Sequence, residues 1–203
     1  LTSAPRLVLA SGSPRRREIL AGLGYEFAVR PADIDETRLA GEEALAYVRR
    51  LAAEKARAET CPGELILAAD TIVVLDGELL GKPLHPADAE GMLRRLSGRR
   101  HTVSTGVAIL DADTNALEVA VETTLVSFAR LEPAEIRWYV ASGEPMDKAG
   151  AYAIQGRASL FIEAIEGDYS NVVGLPVPVV YRMLRQRGVG LPHFETGSRR
   201  PIT

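Results

Sequence analysis

The chain has one cysteine, Cys61, in 203 residues. That excludes an intrachain disulfide and any zinc cluster built on cysteines. It also lacks an apolar run long enough to cross a bilayer and a segment patterned as a secretory signal. The expectation is a soluble cytoplasmic protein with no membrane partner. Neither sign of charge predominates: 24 Lys and Arg stand against 27 Asp and Glu, for a net charge of −3. No broad basic face is available for nucleic acid, so any affinity for phosphate must come from a local site. No period repeats, no low-complexity tract is present, and no linker divides the chain. The three histidines, His85, His101 and His193, are too scattered to assemble a Ser/His/Asp set.

What is present alternates between strand and helix patterns, which argues for a mixed α/β sheet flanked by helices. Arg6–Ala10 reads as a short buried strand. Ser13 as N-cap, Pro14 at the first helical position and Gly24 as the stop frame a helix with Ile19, Leu20 and Leu23 on its apolar side. A strand is expected over Tyr25–Val29, then an acidic loop, then a helix over Glu42–Glu59 with its stripe at Ala44, Val48, Leu51 and Lys55. Asp76-Gly77 signals a type I′ hairpin. Further helices are expected over Ala87–Leu96 and Glu132–Ala141. Strands are expected over His101–Leu110, Leu117–Phe128 and Ser159–Ile165, and a last helix runs from Gly174-Leu175-Pro176 to Arg187. Residues 1–187 are read as one domain and residues 188–203 as a polar, poorly ordered tail.

Asp70 interrupts the oily run Leu65–Leu75. Burying an unpaired carboxylate costs several kcal/mol. Either Asp70 sits in a turn between two short strands, bonded to backbone N–H groups, or a cation elsewhere in the chain meets it. Candidate cations occupy awkward places. Arg15, Arg16 and Arg17 follow Pro14 on a first helical turn, where they oppose the helix dipole yet suit a bidentate grip on phosphate. Lys55 sits on a buried stripe, Lys82 lies between Gly81 and Pro83, and Lys148 lies between Asp147 and Gly150. Asp33, Asp35 and Glu36 offer hard oxygen donors for a divalent cation, although a solvated loop is the more common explanation of such a cluster. Gln155 and Asn171, among turn glycines, offer amides that can pair with a base edge. The Gly-x-x-x-x-Gly-Lys-Ser/Thr spacing of a Walker loop is absent. The combination suits a polyphosphate and its metal.

Several segments carry a resemblance: Leu9-Ala10-Ser11-Gly12-Ser13-Pro14-Arg15-Arg16, Ala69-Asp70-Thr71-Ile72-Val73, Leu80-Gly81-Lys82-Pro83, Leu96-Ser97-Gly98, Asp147-Lys148-Ala149-Gly150-Ala151-Tyr152, Ile154-Gln155-Gly156 and Val173-Gly174-Leu175-Pro176. In order and spacing the chain resembles the Maf family of nucleotide pyrophosphatases up to about Arg187. The resemblance implies a fold like that of inosine triphosphate pyrophosphatases, with a cleft between two lobes. It implies hydrolysis of a nucleoside triphosphate to the monophosphate and pyrophosphate with a divalent cation, Mg²⁺ or Mn²⁺.

Position by position, the resemblance makes Asp70 the proton acceptor and places the metal at Glu36 and Asp70. Ser11, Arg15, Arg16, Lys55 and Lys82 match groups that hold the triphosphate. Arg15, Thr71 and Gln155 match the branch preferring dTTP and UTP, whereas the branch acting on 7-methyl-GTP has Trp, Gln and Glu there. Relatives suggest a homodimer. The family is also associated with inhibition of septum formation, so a nucleotide-binding regulator without turnover is the alternative from another class. Arg157, after Ile154-Gln155-Gly156, matches no role.

Overall fold

In the computed structural model residues 5–192 are described; most of the expected polar tail, from residue 193, lies outside them. The elements run β1 (Arg6–Leu9), α1 (Pro14–Gly22), β2 (Ala28–Val29), α2 (Ala44–Arg57), β3 (Glu64–Leu75), β4 (Glu78–Leu80), α3 (Pro86–Leu96), β5 (Arg100–Asp111), β6 (Ala116–Phe128), α4 (Pro133–Ala141), β7 (Ile162–Glu166), α5 (Tyr169–Val173) and α6 (Val177–Gln186). Three short 3₁₀ turns lie between α4 and β7. The strands form one seven-stranded mixed sheet in the order β2-β1-β3-β5-β6-β7, with β4 also paired to β3. This is the expected α/β class.

The centre of the design is β3, a single strand of 12 residues. The turn reading of Asp70 is therefore overturned: Asp70 pairs with Gly106 in the middle of an unbroken antiparallel ladder to β5. On its other edge, β3 pairs in parallel with β1 over Glu64–Leu67 and antiparallel with β4 over Val73–Leu75. Residues 68–72 of that edge have no strand partner among the described residues. This gap in the sheet sets the position of the site. The β3–β4 turn has positive φ at both central residues, Asp76 (53°) and Gly77 (81°), as a type I′ hairpin requires.

Side-chain alternation along β3 sends each residue to a defined layer. Ile66 and Ala68 pack against Ala52 and Ala56 of α2. Leu65, Leu67 and Ala69 pack with Leu20 of α1 and Val179, Val180 and Met183 of α6. Farther along, Val73 and Leu75 join Leu93 and Leu96 of α3 and Ile136 and Tyr139 of α4 in a separate core. One strand thus runs through two lobes, and the run reads as continuously apolar because both of its faces are covered.

Three local expectations shift. The strand read over Tyr25–Val29 shrinks to Ala28–Val29, because Tyr25 and Phe27 turn into the core under α6 instead. Ser159–Phe161 belong to a 3₁₀ turn, and β7 begins at Ile162. The five-residue helix α5 was not anticipated; one and a half turns give too few positions for a helical period to emerge.

Candidate active site

The gap beside residues 68–72 opens into a cleft of about 790 Å³ between the lobes. Lining it are the end of β1 and the start of α1, Glu36, Lys55 of α2, Asp70 to Val73, the Gly81-Lys82 loop, and segments around Lys148, Gln155 and Gly174. Ser11, Arg15, Arg16, Glu36, Lys55, Asp70, Thr71, Lys82 and Gln155 all lie on its wall. Residues as far apart in the chain as Ala10 and Gly174 share one cavity.

The alternation of β3 explains the polar centre. Asp70 follows Ile66 and Ala68 on the α2 side, where Lys55 lies between Ala52 and Ala56 along the helix. Lys55 Nζ is 2.7 Å from Asp70 Oδ1 and 2.6 Å from Glu36 Oε1. The stripe lysine therefore does not snorkel to solvent but joins two carboxylates in the cleft. Tyr47, on α2 and also lining the cleft, donates its hydroxyl to the Glu36 carbonyl at 2.8 Å. Arg50 grips the Glu42 carboxylate with two nitrogens at 2.7 and 2.8 Å and donates to the Thr37 carbonyl, closing the acidic loop onto α2. That contact holds the Glu42 carboxyl down at about 2, against the opposing effect of burial.

Thr71, the next residue, points to the opposite layer and meets α1. Arg16 donates from Nη2 to Thr71 Oγ1 at 2.9 Å, from Nη1 to Ser11 Oγ at 3.1 Å and from Nε to the Gly174 carbonyl at 2.8 Å. Thr71 Oγ1 is also 2.9 Å from Thr105 Oγ1, and Thr105 donates to the Asn171 carbonyl. Arg16 is thus a fixed guanidinium tying α1, β3 and the α5–α6 junction together. Burial lowers its pKa while Asp70 and Glu36 pull it back up; an arginine stays charged through such shifts. Ser13 caps α1, accepting from the Arg16 N–H; of the basic turn, Arg15 and Arg16 line the cleft and Arg17 is exposed.

Across the cleft, Lys82 and Gln155 are exposed and Lys148 pairs with Asp147. Burial pushes the Asp147 carboxyl up, but Lys148 and then Arg15 outweigh it and the net shift is downward. Asn171 does not read a base edge: it is fully buried, and its amide donates to the Val103 carbonyl and Thr124 Oγ1. His85 caps α3 and His101 is buried against Tyr152. Tyr47, Thr105 and Gly174 were missed from the sequence. Tyr47 had a signal, since it precedes Leu51 and Lys55 at steps of four on one helix face.

The family model for Maf-like proteins matches residues 6–187. This chain belongs to the Maf family. It is 58% identical over 191 residues to a dTTP/UTP pyrophosphatase of Anaeromyxobacter dehalogenans (strain 2CP-1), covering 93% of this chain and 97% of that one. It is 54% identical over 188 residues to a dTTP/UTP pyrophosphatase of Myxococcus xanthus, covering 92% and 94%. A third Maf relative, the dTTP/UTP pyrophosphatase of Symbiobacterium thermophilum, is 52% identical over 195 residues, covering 95% and 98%. Among solved structures, a HAM1 protein from Coxiella burnetii is similar at 18% identity and a TM-score of 0.44, over 77% of this chain and 91% of that one.

Proposed function

We propose that this Maf protein hydrolyses nucleoside triphosphates, dTTP and UTP foremost, to the monophosphate and pyrophosphate. The observation that carries the reading is the convergence of Glu36 and Asp70 on Lys55 at the gap in the sheet, in a chain at least 52% identical to three dTTP/UTP pyrophosphatases. Asp70 is 9% exposed, so a carboxylate held at the cleft is shielded from bulk water and available as a base. In this reading Asp70 takes the proton from the water that attacks the α-phosphorus. Arg15, Arg16, Lys55 and Lys82, with Ser11, hold the triphosphate and offset charge on the departing pyrophosphate. Lys55 already meets two carboxylates; the substrate's phosphates give it a third anionic partner, which draws the ammonium away from Asp70. Gln155 and Thr71 set the preference for the base.

The donor set fits a hard cation. Among the described residues no cluster of three or more His, Cys, Asp or Glu exists that would hold a metal by itself. Two carboxylates remain, Glu36 and Asp70, and Mg²⁺ is characteristically held by one or two carboxylates together with substrate phosphates and water. Mg²⁺ or Mn²⁺ held there would supply Lewis-acid neutralisation of the phosphate oxygens.

Residues 1–187 form the catalytic domain in this proposal, working in the cytoplasm as a homodimer. Among the described residues no helix is long and apolar enough to cross a membrane.

A panel of common triphosphates and 7-methyl-GTP, assayed for pyrophosphate release with several divalent cations, tests the reading. Preferential release from dTTP and UTP supports it. Release from none of them points to the nucleotide-binding regulator, and preference for 7-methyl-GTP points to the other branch.

A further inference from the structure

Glu144 and Tyr139 lie outside the site assigned above, yet they enclose the loop that carries Gln155. Tyr139 is fully buried on α4 and donates its hydroxyl to Glu144 Oε1 at 3.0 Å. The same phenol oxygen accepts the Ala153 N–H at 3.3 Å. On the far side of the loop the Arg157 N–H reaches both Glu144 oxygens, at 3.1 and 3.2 Å, and the Arg157 guanidinium lies 3.7 Å from Glu144 Oε2. The segment between these anchors is only Ile154-Gln155-Gly156.

Gly156 makes the arrangement possible. Its backbone, at φ 131° and ψ −155°, lies in a region essentially reserved for glycine. A Cβ there would stand 2.7 Å from Glu144 Oε1. The backbone therefore approaches the carboxylate more closely than any side chain permits. Burial, reinforced by the Glu144 charge, raises the Tyr139 phenol pKa, which keeps it a donor to the carboxylate at any working pH. Glu144 itself is largely covered, its side chain 18% exposed. The exposed Gln155 needs such support, because nothing else in its tripeptide packs into the core.

We infer that Glu144 and Tyr139 form a brace that fixes the Gln155 loop, and that this brace sets how tightly the nucleotide's base is held without touching the phosphates. Both are positioning residues; neither lies on the wall of the cleft. The inference also gives Arg157 a role, as the residue whose backbone closes the brace. It rests on the proposed pyrophosphatase activity and names a determinant of its selectivity.

The test compares wild type with Glu144→Gln and Tyr139→Phe in three assays. KM for dTTP and UTP is expected to rise about tenfold while kcat changes less than about twofold. Inhibition by inorganic pyrophosphate, which has no base, is expected to stay unchanged. Trypsin cleavage after Arg157 in the folded protein is expected to accelerate at least severalfold. General destabilisation would weaken pyrophosphate inhibition along with dTTP binding, and that result overturns the inference. So does an unchanged KM and unchanged cleavage in both variants; Tyr139→Phe keeps the buried ring and decides the matter if Glu144→Gln folds poorly. If wild-type protein turned over no pyrimidine triphosphate, the selectivity role would fall with the proposed function, and the trypsin pattern alone would decide whether the brace exists.

Discussion

Lys55 Nζ lies 2.7 Å from Asp70 Oδ1 and 2.6 Å from Glu36 Oε1, so one ammonium from α2 joins the acidic loop to the middle of β3. A carboxylate in that run is tolerable because a cation meets it there. Lys55→Met keeps the aliphatic stem and removes the charge, leaving two carboxylates to repel each other. The expected outcome in steady-state kinetics with dTTP is a fall in kcat/KM of about 100-fold, or about 2.7 kcal/mol of transition-state stabilisation. A value within threefold of wild type would remove Lys55 from the account.

Thr71 holds Arg16 as well as facing the cleft. Thr71→Val keeps the shape of the side chain but deprives Arg16 Nη2 and Thr105 of their partner. If Arg16 holds the phosphates as proposed, kcat/KM is expected to fall about tenfold for dTTP and UTP alike. A loss confined to one base would mean that the hydroxyl reads the base directly. The paired change Thr71→Gln with Gln155→Glu is expected to move preference toward 7-methyl-GTP, measured as the ratio of kcat/KM values.

How legible the site was depended on register. Asp70, Lys55 and the basic turn stood out because each is a charge where local structure has no use for one. The sequence could not tell that residues 65–75 form one strand rather than two, because an apolar run with Asp at its centre suits either. Only the continuous pairing with β5, straight through Asp70, resolves it. Asn171 was misread for the converse reason: an amide among glycines looks available, but its bonds to Val103 and Thr124 come from strands more than 40 residues away. The Arg30–Glu64 pair, two bonds of 2.8 Å that fasten the loop after β2 to the start of β3, left no local trace either.

Gly106 pairs with Asp70 and lies directly under α2. A Cβ there would overlap the Val48 carbonyl oxygen and press on Ala52. Gly106→Ala must push α2, and Lys55 with it, away from the sheet. Unfolding in urea is expected to show a loss of about 3 kcal/mol, at the upper end for overpacking. A loss below about 0.5 kcal/mol would show that the helix yields freely.

His101 is 2% exposed, with Nε2 2.7 Å from the Tyr152 hydroxyl. Burial lowers its pKa from 6.5 to about 4. Above pH 6.5 the imidazole is neutral in both states and costs nothing. Between pH 6.5 and about 4 the unfolded chain binds a proton that the folded protein excludes, so stability falls as pH falls. The loss approaches about 3 kcal/mol by pH 4. His101→Gln does not titrate, so the difference in unfolding free energy between the two proteins is expected to change by about that amount from pH 7 to pH 4. A constant difference would contradict the burial effect.

The most direct measurement is the rate of pyrophosphate release from dTTP by Asp70→Asn at saturating Mg²⁺, beside wild type. Asn keeps the size of the side chain and a hydrogen-bonding oxygen for Lys55 but cannot accept the proton from water. The account predicts a fall in kcat of about 1,000-fold or more, within the range of general-base contributions, with the fold retained. A variant that releases pyrophosphate at the wild-type rate would contradict it.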